Sequence, residues 1–167
     1  MREAISLDGP TYIRIGKKGE PILHTLENEI RIGKAKELIN GDQFLILCLG
    51  PITSEAIESS NKLKEKIGIQ PTVVSMGSLK PLDEKFLMTQ ITKGYKYWIT
   101  LEEHSVIGGL GSTIADFLQK NNSKKNISLI KLGIPDQFIH KLGNQKYTRS
   151  QYGLDSKGIF DLLKKLC

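Results

Sequence analysis

Cysteine is scarce in this chain, which argues against a disulfide framework. The 167 residues include two cysteines, Cys48 and Cys167. Cys48 lies inside an apolar run and is best interpreted as a small core residue. Cys167 is the last residue and is predicted to be an exposed thiol. Because free thiols persist in reducing compartments, we expect a cytoplasmic protein.

Long hydrophobic runs are also missing. No window approaches about 18 consecutive apolar residues, so the sequence predicts no transmembrane helix. Residues 1–8 lack the apolar stretch of a secretory signal. A chain of 167 residues buries about 70% of its unfolded surface, so packing alone can hold its core. We expect a globular domain that does not contact a membrane.

The motifs of the common catalytic and metal sites are absent as well. His24 and His140 have no second ligand at metal-binding spacing, so we predict no metal site. No serine, threonine or cysteine stands in a recognisable nucleophile elbow, and we assign no catalytic residue. The net charge is +6, but the lysines form short clusters without interleaved aromatic side chains. This pattern argues against nucleic acid as a partner.

What the chain does have is a regular alternation of predicted strands and helices. Residues 44–49 form a continuous apolar run, which is typical of a strand buried on both faces. Later segments predict three more strands, at residues 71–75, 96–101 and 126–132. Amphipathic segments separate them, so we predict an α/β fold with a mainly parallel sheet and helices on both faces.

Polar residues mark the starts of the predicted helices, and two short segments stand outside the alternation. We expect Thr53 or Ser54, then Asp83, and finally Asp155 to cap helices. Residues 11–15 are β-branched and aromatic, which predicts a short strand. Residues 30–32 are a candidate for an additional edge strand.

The most informative stretch runs from residue 99 to residue 118, where a strand, a glycine-rich turn and a helix are predicted in succession. In open α/β sheets, ligands and partners meet the loops at the carboxyl ends of the strands. The strand ends in Glu102, Glu103 and His104, which suit either acid–base chemistry or contacts. Because successive strand residues point to opposite sides, the pattern favours contacts over one shared catalytic site.

Two segments are candidates for phosphate contact. The turn with Gly108, Gly109 and Gly111 opens a helix, and such a turn presents free N–H groups. Its spacing matches neither the dinucleotide fingerprint nor the P-loop, which favours tight turn geometry and close packing instead. Arg14 and Lys17 follow the first predicted strand, where they suit either a phosphorylated substrate or a solvated turn.

Four motifs are spread in order over nearly the whole chain. They are residues 9–16 (GPTYIRIG), 75–84 (SMGSLKPLDE), 100–112 (TLEEHSVIGGLGS) and 132–138 (LGIPDQF), and the sequence closes with residues 152–159 (YGLDSKGI). Together they resemble the C-terminal third of transketolase-like enzymes. That group includes transketolase, deoxyxylulose-phosphate synthase and the β subunits of 2-oxoacid dehydrogenases. The fourth motif favours the transketolase and deoxyxylulose-phosphate synthase side.

The resemblance implies a fold and a domain organisation. The fold is a three-layer α/β sandwich with a mostly parallel five-stranded sheet and one antiparallel edge strand. Residues 1–18 are interpreted as the remnant last strand of a preceding pyrimidine-binding domain. Residues 19–38 are then a linker, and residues 39–167 form the transketolase-like C-terminal domain.

The resemblance also implies the chemistry of a transferase that uses thiamine diphosphate. Such enzymes move two-carbon or acyl units between sugar-like phosphate substrates. Their Gly-Asp-Gly…Asn stretch, which binds the diphosphate and Mg²⁺, has no counterpart in this sequence. We therefore expect no cofactor to bind this chain alone, and no activity from it alone. In deoxyxylulose-phosphate synthases a basic residue at the position of Lys17 contacts substrate phosphate, and we extend that prediction to Arg14.

Three hypotheses follow. In the first, the chain is the C-terminal domain of such an enzyme, packs within a homodimer, and uses Glu102, Glu103 and His104 for interdomain or dimer contacts. In the second, it is a separate C-terminal subunit or interaction module that docks on a partner carrying the cofactor. In the third, it is a regulatory domain that binds an anion at residues 108–112.

Overall fold

The computed structural model describes residues 2–16, 19–23, 31–121, 126–140 and 142–167. Five strands lie in these ranges: β1 Ala35–Ile39, β2 Phe44–Leu49, β3 Thr72–Met76, β4 Tyr97–Ser105 and β5 Ser128–Ile134. The helices are α1 Arg2–Ile5, α2 Thr53–Ile67, α3 Glu84–Lys93, α4 Leu110–Asn121, α5 Gln145–Gln151 and α6 Ser156–Leu166. Every helix in these ranges is too short or too polar to cross a lipid bilayer.

The strands form one sheet in the order β1-β3-β2-β4-β5. Strand β1 pairs antiparallel with β3, and the other three pairings are parallel. The predicted fold class is therefore confirmed. Because four strands run the same way, their carboxyl ends lie at one edge of the sheet, which we call the carboxyl edge. The connecting helices return to the opposite edge, the amino edge.

Two apolar cores lie on opposite faces of the sheet and create the three layers. On one face, β-strand residues such as Ile46 and Ile99 pack in one cluster with Leu63 of α2 and Leu163 of α6. The other face holds a second cluster, with Trp98, Leu45, Leu87 of α3 and Ile114 of α4. Full burial of one such aliphatic side chain stabilises the fold by about 2 kcal/mol, so these clusters fix the layers.

The edge of the sheet is where the sequence predictions were wrong. The antiparallel edge strand lies at Ala35–Ile39, whereas the candidate segment 30–32 forms no strand over its described residues 31–32. Strand β1 carries Lys36 and Glu37 and is only half-buried, so its composition resembles that of a loop. Residues 11–15 have the composition of a strand but form none. They make no backbone hydrogen bond to any described residue, and a strand exists only where a neighbour pairs with it.

Two of the three predicted helix starts are confirmed. The Asp83 carboxylate accepts the Phe86 N–H at 3.2 Å, and Asp155 accepts the Gly158 N–H at 2.9 Å. The predicted cap of α2 was wrong, because its N-cap residue is Ile52, which makes no side-chain cap bond. Helix α5 was not predicted. Its start is set by Asn144, whose side chain accepts the Tyr147 N–H at 2.9 Å.

Candidate functional site

The carboxylate of Glu102 is buried at the end of β4, with 1% of the residue exposed. Its two oxygens accept the N–H groups of Leu110 and Gly111, each at 2.9 Å. These N–H groups belong to the first turn of α4, where the helix dipole favours a negative charge. The chain's own carboxylate thus fills the place where a bound phosphate would lie.

The three glycines of the turn serve this close approach. A Cβ on Gly109 would overlap the carboxylate of Glu102, and a Cβ on Gly111 would lie 2.7 Å from Cδ of Lys131. Gly108 has a φ of 76°, in the left-handed region that favours glycine. Its N–H donates to Oγ of Ser112 at 2.9 Å. This geometry favours the packing interpretation of the turn over phosphate binding.

Glu103 points away from Glu102 and belongs to an ion network on the other face of the sheet. Its carboxylate accepts Nε of Arg149 at 2.7 Å and Nε2 of Gln145 at 3.2 Å. Nη1 of Arg149 donates to Glu55 at 3.0 Å, and Glu55 also accepts the Ser156 N–H at 2.8 Å. We call these five residues the Arg149 network. It ties α5 to the end of β4 and to the starts of α2 and α6.

The Arg149 network is a clamp rather than a proton-transfer site. Arg149 is 7% exposed, and burial opposes its charge, but the hydrogen bonds and charges of Glu103 and Glu55 raise its pKa overall. All four carboxylate oxygens of these two glutamates accept a hydrogen bond, so neither group is free to act as a general base.

The sequence analysis missed Arg149 and gave Glu55 no partner. The pairs Arg149–Glu103 and Arg149–Glu55 are 46 and 94 residues apart in the chain. No local spacing links residues so distant, and helix α5 itself was not predicted. An isolated arginine on the exposed side of a predicted helix would have been the available signal, but such residues are usually solvated.

The remaining predicted site residues scatter. His104 is exposed to solvent, so Glu102, Glu103 and His104 point to three different surroundings, as strand alternation predicts. Nη2 of Arg14 lies 3.5 Å from the carbonyl oxygen of Glu103. Lys17 lies outside the described residues. The predicted phosphate and interdomain contacts of these residues stay predictions.

Exposed apolar side chains collect at the carboxyl edge. Ile107 follows β4, and Phe138 and Leu142 follow β5, with 60%, 87% and 95% exposure. Residues 2–16, which we call the N-terminal arm, reach this edge through Arg14. The arm and the strand-end loops contribute six exposed apolar residues that we call the apolar rim: Tyr12, Ile13, Ile15, Ile107, Phe138 and Leu142. Exposed apolar groups of this kind mark interaction surfaces.

The described residues do not fit thiamine diphosphate or its metal ion. Within those ranges, no group of three histidine, cysteine, aspartate or glutamate side chains could hold a metal. The glycine-rich turn that might have held a diphosphate is occupied by Glu102. What the carboxyl edge offers chemically is a stiff, apolar contact surface.

Comparison with known proteins places this arrangement. The family described as "Transketolase, C-terminal domain" matches residues 33–159. The chain belongs to this family. A 1-deoxy-D-xylulose-5-phosphate synthase of Dehalococcoides mccartyi is 39% identical over 89% of this chain and 23% of its own length. The chain is thus related to both transketolase and deoxyxylulose-phosphate synthase, as the motifs predicted.

Two relatives match nearly the full length of this transketolase C-terminal domain. A subunit of the apulose-4-phosphate transketolase of Actinobacillus succinogenes is 34% identical over 98% of this chain and 51% of that protein. A structure described as "Split gene transketolase, inactive beta4 tetramer" superposes with a TM-score of 0.85 and 32% identity, over 98% of this chain and 52% of that one. The chain thus spans about half the length of these two proteins.

Proposed function

We propose that this transketolase C-terminal domain works as a separate subunit, or subunit section, that docks on a chain carrying the cofactor-binding domains. The apolar rim carries this proposal, because it concentrates exposed apolar side chains at the edge where α/β domains meet their partners. Two similar proteins, one named as a transketolase subunit and one as a split-gene transketolase, support a divided enzyme. The alternative is a fused enzyme, in which the same edge contacts domains of its own chain and packs within a homodimer.

In this proposal the docking surface is the apolar rim together with exposed His104. Glu102 and Glu103 contribute indirectly, because they fix the turn after β4 and helix α5 beneath it. The Arg149 network anchors α5, the helix that follows the loop with Phe138 and Leu142, to the body of the domain. A stiff surface loses little side-chain freedom on binding, which favours affinity.

The partner would supply the chemistry. Thiamine diphosphate and Mg²⁺ bind to the partner, and the assembled transferase moves two-carbon or acyl units between sugar-like phosphates in the cytoplasm. This chain contributes no catalytic residue. Arg14 and Lys17 lie on the arm, from which they reach the phosphate of a bound substrate.

Reconstitution tests the proposal. The chain is mixed with a chain from the same organism that carries the Gly-Asp-Gly…Asn stretch, and two-carbon transfer is measured with thiamine diphosphate and Mg²⁺ present. We expect each chain to be inactive alone and the mixture to be active. The Phe138→Asp variant should bind about tenfold more weakly or worse. Met88→Asp is the matched control, because Met88 is exposed on α3 and lies away from the rim.

Two outcomes would contradict the proposal. An inactive mixture in which gel filtration shows no complex removes the docking claim. Micromolar binding of thiamine diphosphate to this chain alone, measured by isothermal titration, removes the claim that the cofactor belongs to the partner.

A further inference from the structure

Residues 11–15 of the N-terminal arm have unused capacity for pairing. Their composition suits a strand, yet their backbone groups make no hydrogen bond to the backbone of any described residue. Tyr12 and Ile15 are 90% and 72% exposed, and Ile13 is 45% exposed. An exposed apolar strand without a neighbour is a template for pairing with another chain.

The sequence of this segment is self-complementary in the antiparallel direction. Pairing two copies about Ile13 sets Thr11 opposite Ile15, Tyr12 opposite Arg14, and Ile13 opposite itself. Each of these pairs is favourable, since β-branched residues pack across strands and a guanidinium stacks on a tyrosine ring. A two-fold axis through Ile13 generates every pair twice, as an isologous interface requires.

Other registers are worse. Pairing about Arg14 sets two guanidinium groups opposite each other, and like charges in that position are destabilising. Pairing about Tyr12 brings Pro10 into the ladder, and proline has no N–H to donate. Gly9, with a φ of 104°, turns the chain just before this point. Residues 11–15 are thus the natural length of the strand, and Ile13 is its centre.

We propose that two copies of this chain associate through an antiparallel ribbon formed by residues 11–15 and centred on Ile13. Alternation places Thr11, Ile13 and Ile15 on one face of the ribbon, and Tyr12 and Arg14 on the other. A two-stranded ribbon is marginal alone, so its apolar face packs against the rest of the apolar rim. The consequence rests on the proposed function: a second copy and the cofactor-carrying partner compete for the same arm.

Cysteine cross-linking tests the register directly. The background is Cys167→Ser, which leaves only Cys48, a buried residue whose thiol pKa is raised by burial. Ile13→Cys places two thiols face to face on the two-fold axis, at a separation that suits a disulfide. Met88→Cys is the control, because Met88 and Ile13 are 44% and 45% exposed.

We expect Ile13→Cys to form a cross-linked dimer about tenfold faster than Met88→Cys under mild oxidation. Tyr12→Cys and Arg14→Cys should each cross-link poorly alone but readily when mixed, because residue 12 faces residue 14. Light scattering of the unmodified chain should approach twice its 18.7 kDa as concentration rises. Equal rates for Ile13→Cys and Met88→Cys, or a mass that stays at one chain, would overturn the ribbon.

Adding the chain that carries the Gly-Asp-Gly…Asn stretch separates the two proposals. If both hold, that chain suppresses cross-linking of Ile13→Cys. Cross-linking that is fast and unaffected by it supports the ribbon and contradicts docking through the arm. Slow cross-linking alongside reconstituted two-carbon transfer overturns the ribbon and leaves the proposed function intact.

Discussion

The two edges of the sheet obey the same electrostatic rule but differ in their apolar exposure. At the carboxyl edge, helices begin, and carboxylates such as Glu55 and Glu102 satisfy their N-termini. At the amino edge, helices end, and lysines occupy their last turns: Lys64 and Lys66 in α2, Lys93 in α3, Lys120 in α4, Lys164 and Lys165 in α6. Both patterns complement the helix dipole.

The difference lies in what each edge leaves for a partner. The lysines of the amino edge complement the helix ends beneath them, so much of the net charge of +6 has a structural explanation there. The apolar rim at the carboxyl edge has no such explanation within the fold. Charge alone would have pointed to the wrong edge as the interaction surface. Substitutions at the two edges should therefore have very different effects on stability and assembly.

Arg149→Met should have the largest effect on stability. It leaves the carboxylates of Glu103 and Glu55 without their cation in a largely buried setting. Breaking a buried ion pair from one side costs about 4 kcal/mol in the free energy of unfolding, measured by urea denaturation. The double variant Arg149→Met with Glu103→Gln should lose less than the sum of its parts. Strict additivity would show that the network is not coupled.

Glu102→Ala should come next. Two buried N–H groups at the start of α4 lose their acceptor, and a cavity opens beneath Gly109. We expect a loss of about 3 kcal/mol in the free energy of unfolding. His104→Ala is the control, because His104 is exposed and only two residues away, and it should change stability by less than about 0.5 kcal/mol. Similar losses for both variants would refute the buried cap.

The pair Gly109→Ala and Gly108→Ala separates close packing from backbone strain. A methyl at Gly109 displaces the Glu102 carboxylate and should cost about 2 kcal/mol. A methyl at Gly108 meets nothing within 4 Å, so only its positive φ opposes it, at about 1 kcal/mol. In a Glu102→Ala background the Gly109 penalty should largely vanish, whereas the Gly108 penalty should persist. Calorimetric melting of the four variants measures this coupling.

The elements that the sequence predicted are those whose signal is local. Residues 44–49 form a continuous apolar run, and they became the central strand β2. Asp83 and Asp155 stand directly before apolar helical patterns, and both cap helices. Alternation along a strand also predicted that Glu102 and Glu103 would separate. In each case the physical cause acts within a few residues of the chain.

The elements that were missed depend on distant neighbours. Strand β1 exists because β3 pairs with it, since its own half-buried, charged residues carry no strand signal. Residues 11–15 show the converse, a strand composition without a neighbour. The Arg149 network joins side chains up to 94 residues apart. Sequence patterns indicate propensity, but pairing partners in space decide which segment becomes a strand and which glutamate is bound.

Lys93→Met, at the amino edge, should have the smallest effect. Lys93 donates to Glu37 at 3.1 Å, and both side chains remain partly exposed. That hydrogen bond raises the pKa of Lys93 above its ordinary value of 10.5. A raised folded-state pKa means that the contribution is fully present below 10.5 and is lost as the pH rises through the folded-state value.

The wild type should therefore exceed the Lys93→Met variant by less than about 1 kcal/mol near neutral pH. Urea denaturation across a series of alkaline buffers should show this difference shrinking toward zero. Assembly with a partner should be unchanged, because Lys93 lies at the edge opposite the apolar rim. A difference that grows with pH would mean that Lys93 destabilises the fold by its charge. The lysines of the amino edge would then strain the fold rather than complement its helix ends.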